Sequence, residues 1–175
     1  MDRLFGEDKA LNSGATLPAE VRKNLDAARA GDAHAQFLLA EQYCAGLIIP
    51  LDHVEALKWY RQSAKQGNRD AQHKLGEIYY TGYGIEQDYK EAARWYRLAA
   101  EQGDTEAQYI LGLIYYNGHG FPKDYVCAHK WWAVAASNGL QRAAPKRDLV
   151  ESSLSESDLA AARRQIADWH NEHQS

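Results

Sequence analysis

Residues 67–103 read GNRDAQHKLGEIYYTGYGIEQDYKEAARWYRLAAEQG, and the fold follows from how this stretch is spaced. Ala71, Leu75 and Tyr79 fall at i, i+4 and i+8, one stripe of an α-helix. Ala92, Trp95 and Ala100 fall at i, i+3 and i+8, the stripe of a second helix. Gly82-Tyr83-Gly84 supplies a turn between them. The unit is therefore helix A, a glycine-rich turn and helix B. Asp88-x-x-Glu91 has the form of an N-cap with a reciprocal glutamate, which fixes where helix B begins. Gly103 suits the left-handed position that ends a helix. Gly76 is small enough to let two helices approach closely, while Trp95 and Tyr96 fill the space between hairpins.

The same pattern is written three times. Gly31, Gly67, Gly103 and Gly139 are each 36 residues apart. Ala35-Gln36, Ala71-Gln72 and Ala107-Gln108 repeat at that period, as do Leu39, Leu75 and Leu111, and Tyr43, Tyr79 and Tyr115. Asp52, Asp88 and Asp124 open the second halves, which carry Trp59-Tyr60, Trp95-Tyr96 and Trp131-Trp132. A lone hairpin buries only part of its two stripes, so each repeat needs a neighbour. The expected fold is all-α, an α/α helical-hairpin solenoid of three full 36-residue repeats with terminal capping helices.

The pattern Ala-Gln-x-x-Leu-Gly-x-x-Tyr, Gly-x-Gly, Asp-x-x-x-Ala, Trp-Tyr, Ala-Ala and Gly resembles the Sel-one-like repeat, a longer relative of the tetratricopeptide repeat. The resemblance covers residues 31–139 and is near-complete in the second and third units. In the first, Ala40 replaces the first glycine and Ile48 the second turn glycine, so the turn AGLIIPLD must run differently, shaped by Pro50. A tetratricopeptide-like superhelix is what the resemblance implies.

The organisation expected is a loose segment over 1–18, an N-capping helix over 19–30, repeats over 31–66, 67–102 and 103–138, and a partial repeat with a C-capping helix over 139–172. In the first cap, Ala28 lines up with Ala64, but Lys23 stands where a tryptophan would. Ala143 is in register for a fourth helix A, whose pattern fails at Pro145. Ser155-x-x-Asp158 starts a last helix with the stripe Leu159, Ala162, Ile166 and Trp169, expected to lie on the third hairpin as a lid. Residues 1–15 and the final NEHQS read as loose ends.

Composition narrows the function. The chain has 175 residues, 24 acidic against 20 basic, with a net charge of -4 and both signs dispersed. No basic stripe suits a phosphate backbone, so nucleic acid is not expected as a partner. No apolar run spans a bilayer, so membrane insertion is not expected. The first thirty residues lack an apolar signal core, which gives a cytoplasmic expectation, or a periplasmic one if a leader has been removed. Cys44 and Cys127, the two cysteines, read as reduced thiols.

A search for chemistry gives no catalytic constellation, no cofactor and no metal centre. There is no phosphate loop, nucleophile elbow or Ser-x-x-Lys motif. Among the seven histidines only His170-x-x-His173 has ligand spacing, and it falls in a tail read as frayed. An enzyme is therefore not expected. The function expected is a protein-interaction scaffold or adaptor, and relatives make it regulatory in a bacterial cell. The alternative is an envelope-associated hydrolase or penicillin-binding, β-lactamase-like protein. The resemblance offers that role through cysteine-rich members whose paired cysteines this chain lacks. Self-association through the end faces stays open as a third role.

The resemblance also implies a binding surface, the concave face lined by helices A. Carried across on Leu-Gly-x-x-Tyr, its positions are His34, Phe37, Glu41, Cys44 and Ala45 in the first unit. In the second they are Asp70, His73, Glu77, Tyr80 and Thr81, and in the third Glu106, Tyr109, Leu113, Tyr116 and Asn117. These positions vary between units while the core stripe repeats. Their mix of aromatic residues and acids points to a protein or peptide segment bearing apolar and basic residues.

Overall fold

The computed structural model describes residues 17–173. Among them are nine helices and no strand: α1 (Ala19–Arg29), α2 (Ala33–Ala45), α3 (His53–Lys65), α4 (Arg69–Thr81), α5 (Tyr89–Glu101), α6 (Thr105–Asn117), α7 (Tyr125–Ser137), α8 (Ala143–Glu151) and α9 (Glu156–His173). The expectation for residues 1–15 lies outside the described residues. The chain divides into two units, one up to Ala71 and one from Gln72 onward.

In the first unit α1 packs on α2 and α2 on α3. The helix A stripe Ala35, Leu39 and Tyr43 is buried, as are Ala56, Trp59 and Ala64 of helix B. Helix α1 contributes Val21, Leu25 and Ala28 to this core. In the second unit α5 packs on α6, α6 on α7, and α7 on both α8 and α9. Its core joins Ala92, Tyr96, Leu111, Ile114 and Trp132 to Val150 of α8 and Trp169 of α9. The last helix lies on the third hairpin through Ala162 and Trp169.

The junction between units of the repeat is built from two residues. Each periodic glycine has a positive φ, between 84° at Gly103 and 100° at Gly31. The residue after it then serves both neighbouring helices. Asp104 donates its backbone N–H to the Ala99 carbonyl at 3.1 Å, closing α5, and its carboxylate accepts from Ala107 N at 2.9 Å, opening α6. Asp32 does the same between α1 and α2, with Ala27 and Ala35. After Gly139 that place is taken by Leu140, which has no capping side chain. Helix α8 accordingly starts at Ala143 without a side-chain cap.

The residue pattern of the fourth helix A fails at Pro145, but the helix itself does not stop there. Pro145 sits in the first turn of α8, where its missing N–H is not needed, and the helix continues to Glu151. Residues 174–175 lie outside the described residues, but the expectation of a loose C-terminal end is corrected for residues 171–173, because α9 runs to His173. There the His173 ring stacks on Trp169 at 4.4 Å and 11°.

The expected reciprocal cap is also only half made. Asp88 accepts from Lys90 N at 2.9 Å and Glu91 N at 3.1 Å, and Asp52 caps α3 in the same way. The glutamates turn outward, Glu91 to Arg94 and Glu55 to Lys58. The N-cap N–H groups go instead to the tyrosine of helix A: Asp52 to Tyr43 O at 3.1 Å, Asp88 to Tyr79 O at 2.9 Å, and Asp124 to Tyr115 O at 3.0 Å. That bond returns the chain from the turn and sets how helix B meets helix A.

Candidate functional site

On α2, His34 and Ala45 are exposed while Phe37, Glu41 and Cys44 are half-buried. Phe37 lies 6.4 Å from His34 and 6.0 Å from Tyr60 between ring centroids. Glu41 accepts a hydrogen bond from the Tyr60 hydroxyl. Burial, reinforced by that bond, holds the Tyr60 hydroxyl far above the ordinary phenol range. Glu41 is therefore already used by its own hairpin. Asp70, exposed at the end of this unit, sits 3.4 Å from Arg69.

In the second unit, α4 presents His73, Glu77, Tyr80 and Thr81, and α6 presents Glu106, Tyr109, Leu113, Tyr116 and Asn117. His73 Nδ1 lies 2.9 Å from Asp104 Oδ2, with the ring edge-on to Tyr96 at 5.5 Å. The hydrogen bond to Asp104 raises the His73 pKa, outweighing the opposing effect of burial. Tyr80 meets Tyr89 at 5.3 Å and Tyr96 at 6.4 Å, and one repeat later Tyr116 meets Tyr125 and Trp132 at 5.5 Å each. Both tyrosines are half-buried and packed on helix B, and Tyr80 also lies 6.0 Å from the His119 ring. Glu77 is exposed beside Lys74, and Thr81 donates to the Glu77 carbonyl at 2.8 Å. Leu113 is half-buried against the core and Asn117 is exposed at the end of α6.

Two of the third repeat's positions, Glu106 and Tyr109, meet at one cation. Arg142 lies 4.6 Å from the centroid of the Tyr109 ring and forms an ion pair with Glu106. Arg142 stands 36 residues after Glu106, at the same place in the repeat pattern. Sequence reasoning passed over it because the binding positions were carried across the three full repeats only.

Groups that could do chemistry are engaged otherwise. Burial, then a hydrogen bond to Asp124, pushes the Cys127 thiol up to about 12, away from thiolate reactivity. His129 is buried with Nε2 at 3.2 Å from Glu151 Oε2, and that bond holds Glu151 below the usual carboxylate range. His170 meets Ser137 Oγ at 3.3 Å and the Ile166 carbonyl at 2.9 Å, so the His170-x-x-His173 pair is part of a helix surface. Among the described residues no cluster of three or more His, Cys, Asp or Glu could hold a metal. No described helix is long and apolar enough to cross a membrane.

Two features escaped the sequence reading. The repeated glutamine is buried, and it ties successive helices together: Gln108 Nε2 donates to the Ala100 carbonyl at 3.0 Å while its Oε1 accepts from Asn138 at 3.1 Å. Gln36 does the same with Ala28 and Gln66. The first turn leaves Leu47, Ile48 and Leu51 exposed, beside exposed Val54 at the start of α3, and turns Ile49 inward.

These features define a protein of α/α helical-hairpin repeats. The Sel1 repeat family model matches residues 33–68, 69–104 and 105–140. The chain belongs to the Sel1 repeat family, whose members are generally protein-interaction scaffolds. It is similar to a Sel1 repeat protein of Oxalobacter formigenes, at 35% identity over 74% of this chain and 97% of that one, with a TM-score of 0.68. It is also similar to c5321, a protective antigen of uropathogenic Escherichia coli with the same repeat fold. That match has 27% identity, covers 87% of this chain and 41% of that one, and gives a TM-score of 0.58. No curated protein gives a match.

Proposed function

We propose that this protein is a non-enzymatic adaptor that holds a segment of another protein on its helix A faces, in the cytoplasm of a bacterial cell. The segment carries an arginine or lysine beside an apolar residue. The observation that supports this reading is Arg142. It stacks on Tyr109 and pairs with Glu106, so the chain already contains a cation seated on two of the positions assigned to binding. A guanidinium over an aromatic face with a carboxylate alongside is a favourable combination. The acids and aromatic rings at the other positions can offer comparable contacts, and aromatic residues supply much of the energy at such surfaces. The bacterial sources of the similar structures support the bacterial setting.

The test is selection of displayed random peptides on the wild type, with counter-selection on a Glu77→Lys/Glu106→Lys variant. The reading expects enrichment of peptides combining basic with aromatic or aliphatic residues, lost on the variant. Recovery of peptides without basic residues, or equal binding to both proteins, counts against it.

A further inference from the structure

The outward side of helix α5 carries a recess of about 390 Å³, floored by Ala93, Leu98 and Phe121. Lys90, Arg94 and Arg97 line it, against one lining carboxylate, Glu101. In a chain whose net charge is -4, this is a local excess of positive charge. Arg94 shares its charge with Glu91 at 3.5 Å. Lys90 and Arg97 form no ion pair among the described residues, and Arg97 donates a hydrogen bond to the Tyr115 hydroxyl. An adjoining recess of about 280 Å³ shares Arg97 and Glu101, and adds Lys130 and Glu172. The floor is apolar and partly open, with Leu98 37% exposed.

Charge and shape together select the occupant. A phosphate backbone would gain from the cations but would meet an apolar floor and Glu101. A purely apolar segment would leave the cations unmatched. We infer that this recess is a second protein-docking site, which takes an acidic segment of a partner with one apolar side chain set into the pocket beside Phe121. Carboxylates flanking that side chain meet Lys90, Arg94 and Arg97. The apolar insertion supplies affinity, and the charges supply orientation and rate. The site lies on helix B and prefers the opposite charge to the helix A surface, so it is independent of the function proposed above.

The experiment uses the full chain labelled with ¹⁵N and a blocked synthetic peptide holding one phenylalanine between two pairs of glutamates. Titration should shift the amides of Leu98, Phe121 and their neighbours, with affinity falling as salt rises. Lys90→Glu/Arg94→Glu should weaken binding by roughly tenfold or more, the direction expected from placing like charges across an interface. That variant is expected to fold, because both side chains are on the surface and an acid in the first turn of α5 suits the helix dipole. Lys58→Glu, the matching cation of the first repeat, should leave binding unchanged. The proposal is overturned by any of four results. These are no shifts at millimolar peptide, shifts confined to α4 and α6, equal binding by the α5 variant, or equally tight binding of an oligothymidine at the same residues.

Discussion

Gly112 of α6 lies so close to Trp132 of α7 that a Cβ at that position would stand 2.3 Å from the indole nitrogen. The same relation holds at Gly76, where a Cβ would meet the Tyr96 ring at 2.7 Å. Trp132 is fully buried, and its Nε1 donates to the Tyr109 carbonyl at 3.1 Å. The ring therefore has nowhere to retreat without losing that bond.

Gly112→Ala is consequently expected to destabilise, although alanine is the better helix former by about 1 kcal/mol. Overpacking of a tight core costs about 1–3 kcal/mol, and displacing the indole bond adds to it. Urea unfolding of the variant should show a lower midpoint with an unchanged slope. A midpoint at or above that of the wild type would mean that the two helices can separate freely.

The half-made cap gives a contrast between neighbours. Asp88→Ala removes a carboxylate that accepts two backbone N–H groups, and should cost about 1 kcal/mol. Glu91→Ala removes only a surface pair with Arg94, and should cost no more than a few tenths of a kcal/mol. Thermal melts of the two variants decide it. Equal losses would restore the reciprocal cap that the spacing alone suggests.

The His73–Asp104 pair makes stability depend on pH. The hydrogen bond to Asp104 favours protonated His73, so its pKa in the folded chain is raised. A raised folded pKa stabilises fully below the ordinary imidazole value, about 6.5, and that contribution fades as pH rises through the folded value. The gap in urea midpoint between wild type and His73→Gln should then be widest on the acid side and shrink toward alkaline pH. A gap that does not vary with pH would show that the pair contributes nothing through charge.

Much of the fold was legible because it is periodic. One stripe of Ala, Leu and Tyr, repeated at a fixed interval, can be satisfied only by stacked hairpins, and the glycine that ends each helix marks the joints. The hidden parts depend on groups that look ordinary in one dimension. Gln108 reads as a surface residue until its side chain is seen bridging the Ala100 carbonyl and Asn138. Asp88-x-x-Glu91 matches a reciprocal cap, but the N–H it would use is taken by the Tyr79 carbonyl, a partner nine residues back. Pro145 stops a helix when it falls inside one and starts one when it falls in the first turn, and Leu140 decides which by failing to cap. Arg142 was missed because the binding positions were carried only as far as the third full repeat, and it stands in the partial one that follows.

Arg142 yields the sharpest prediction about binding. Its side chain is 56% exposed and that of Glu106 42%, so the ion pair adds at most about 1 kcal/mol to stability. Arg142→Ala should leave the melting temperature nearly unchanged. Its effect on recognition is larger in principle, because a tethered group competes at about millimolar effective concentration. If Glu106 and Tyr109 receive a basic residue from a partner, removing the internal occupant frees them. An arginine-bearing peptide selected on the wild type should then bind Arg142→Ala roughly two- to tenfold more tightly, as a larger fraction of the protein becomes competent. Isothermal titration of both proteins with one peptide gives the ratio. An unchanged or weaker affinity would remove these two residues from the binding surface and leave Arg142 as a structural clasp on the end of α6.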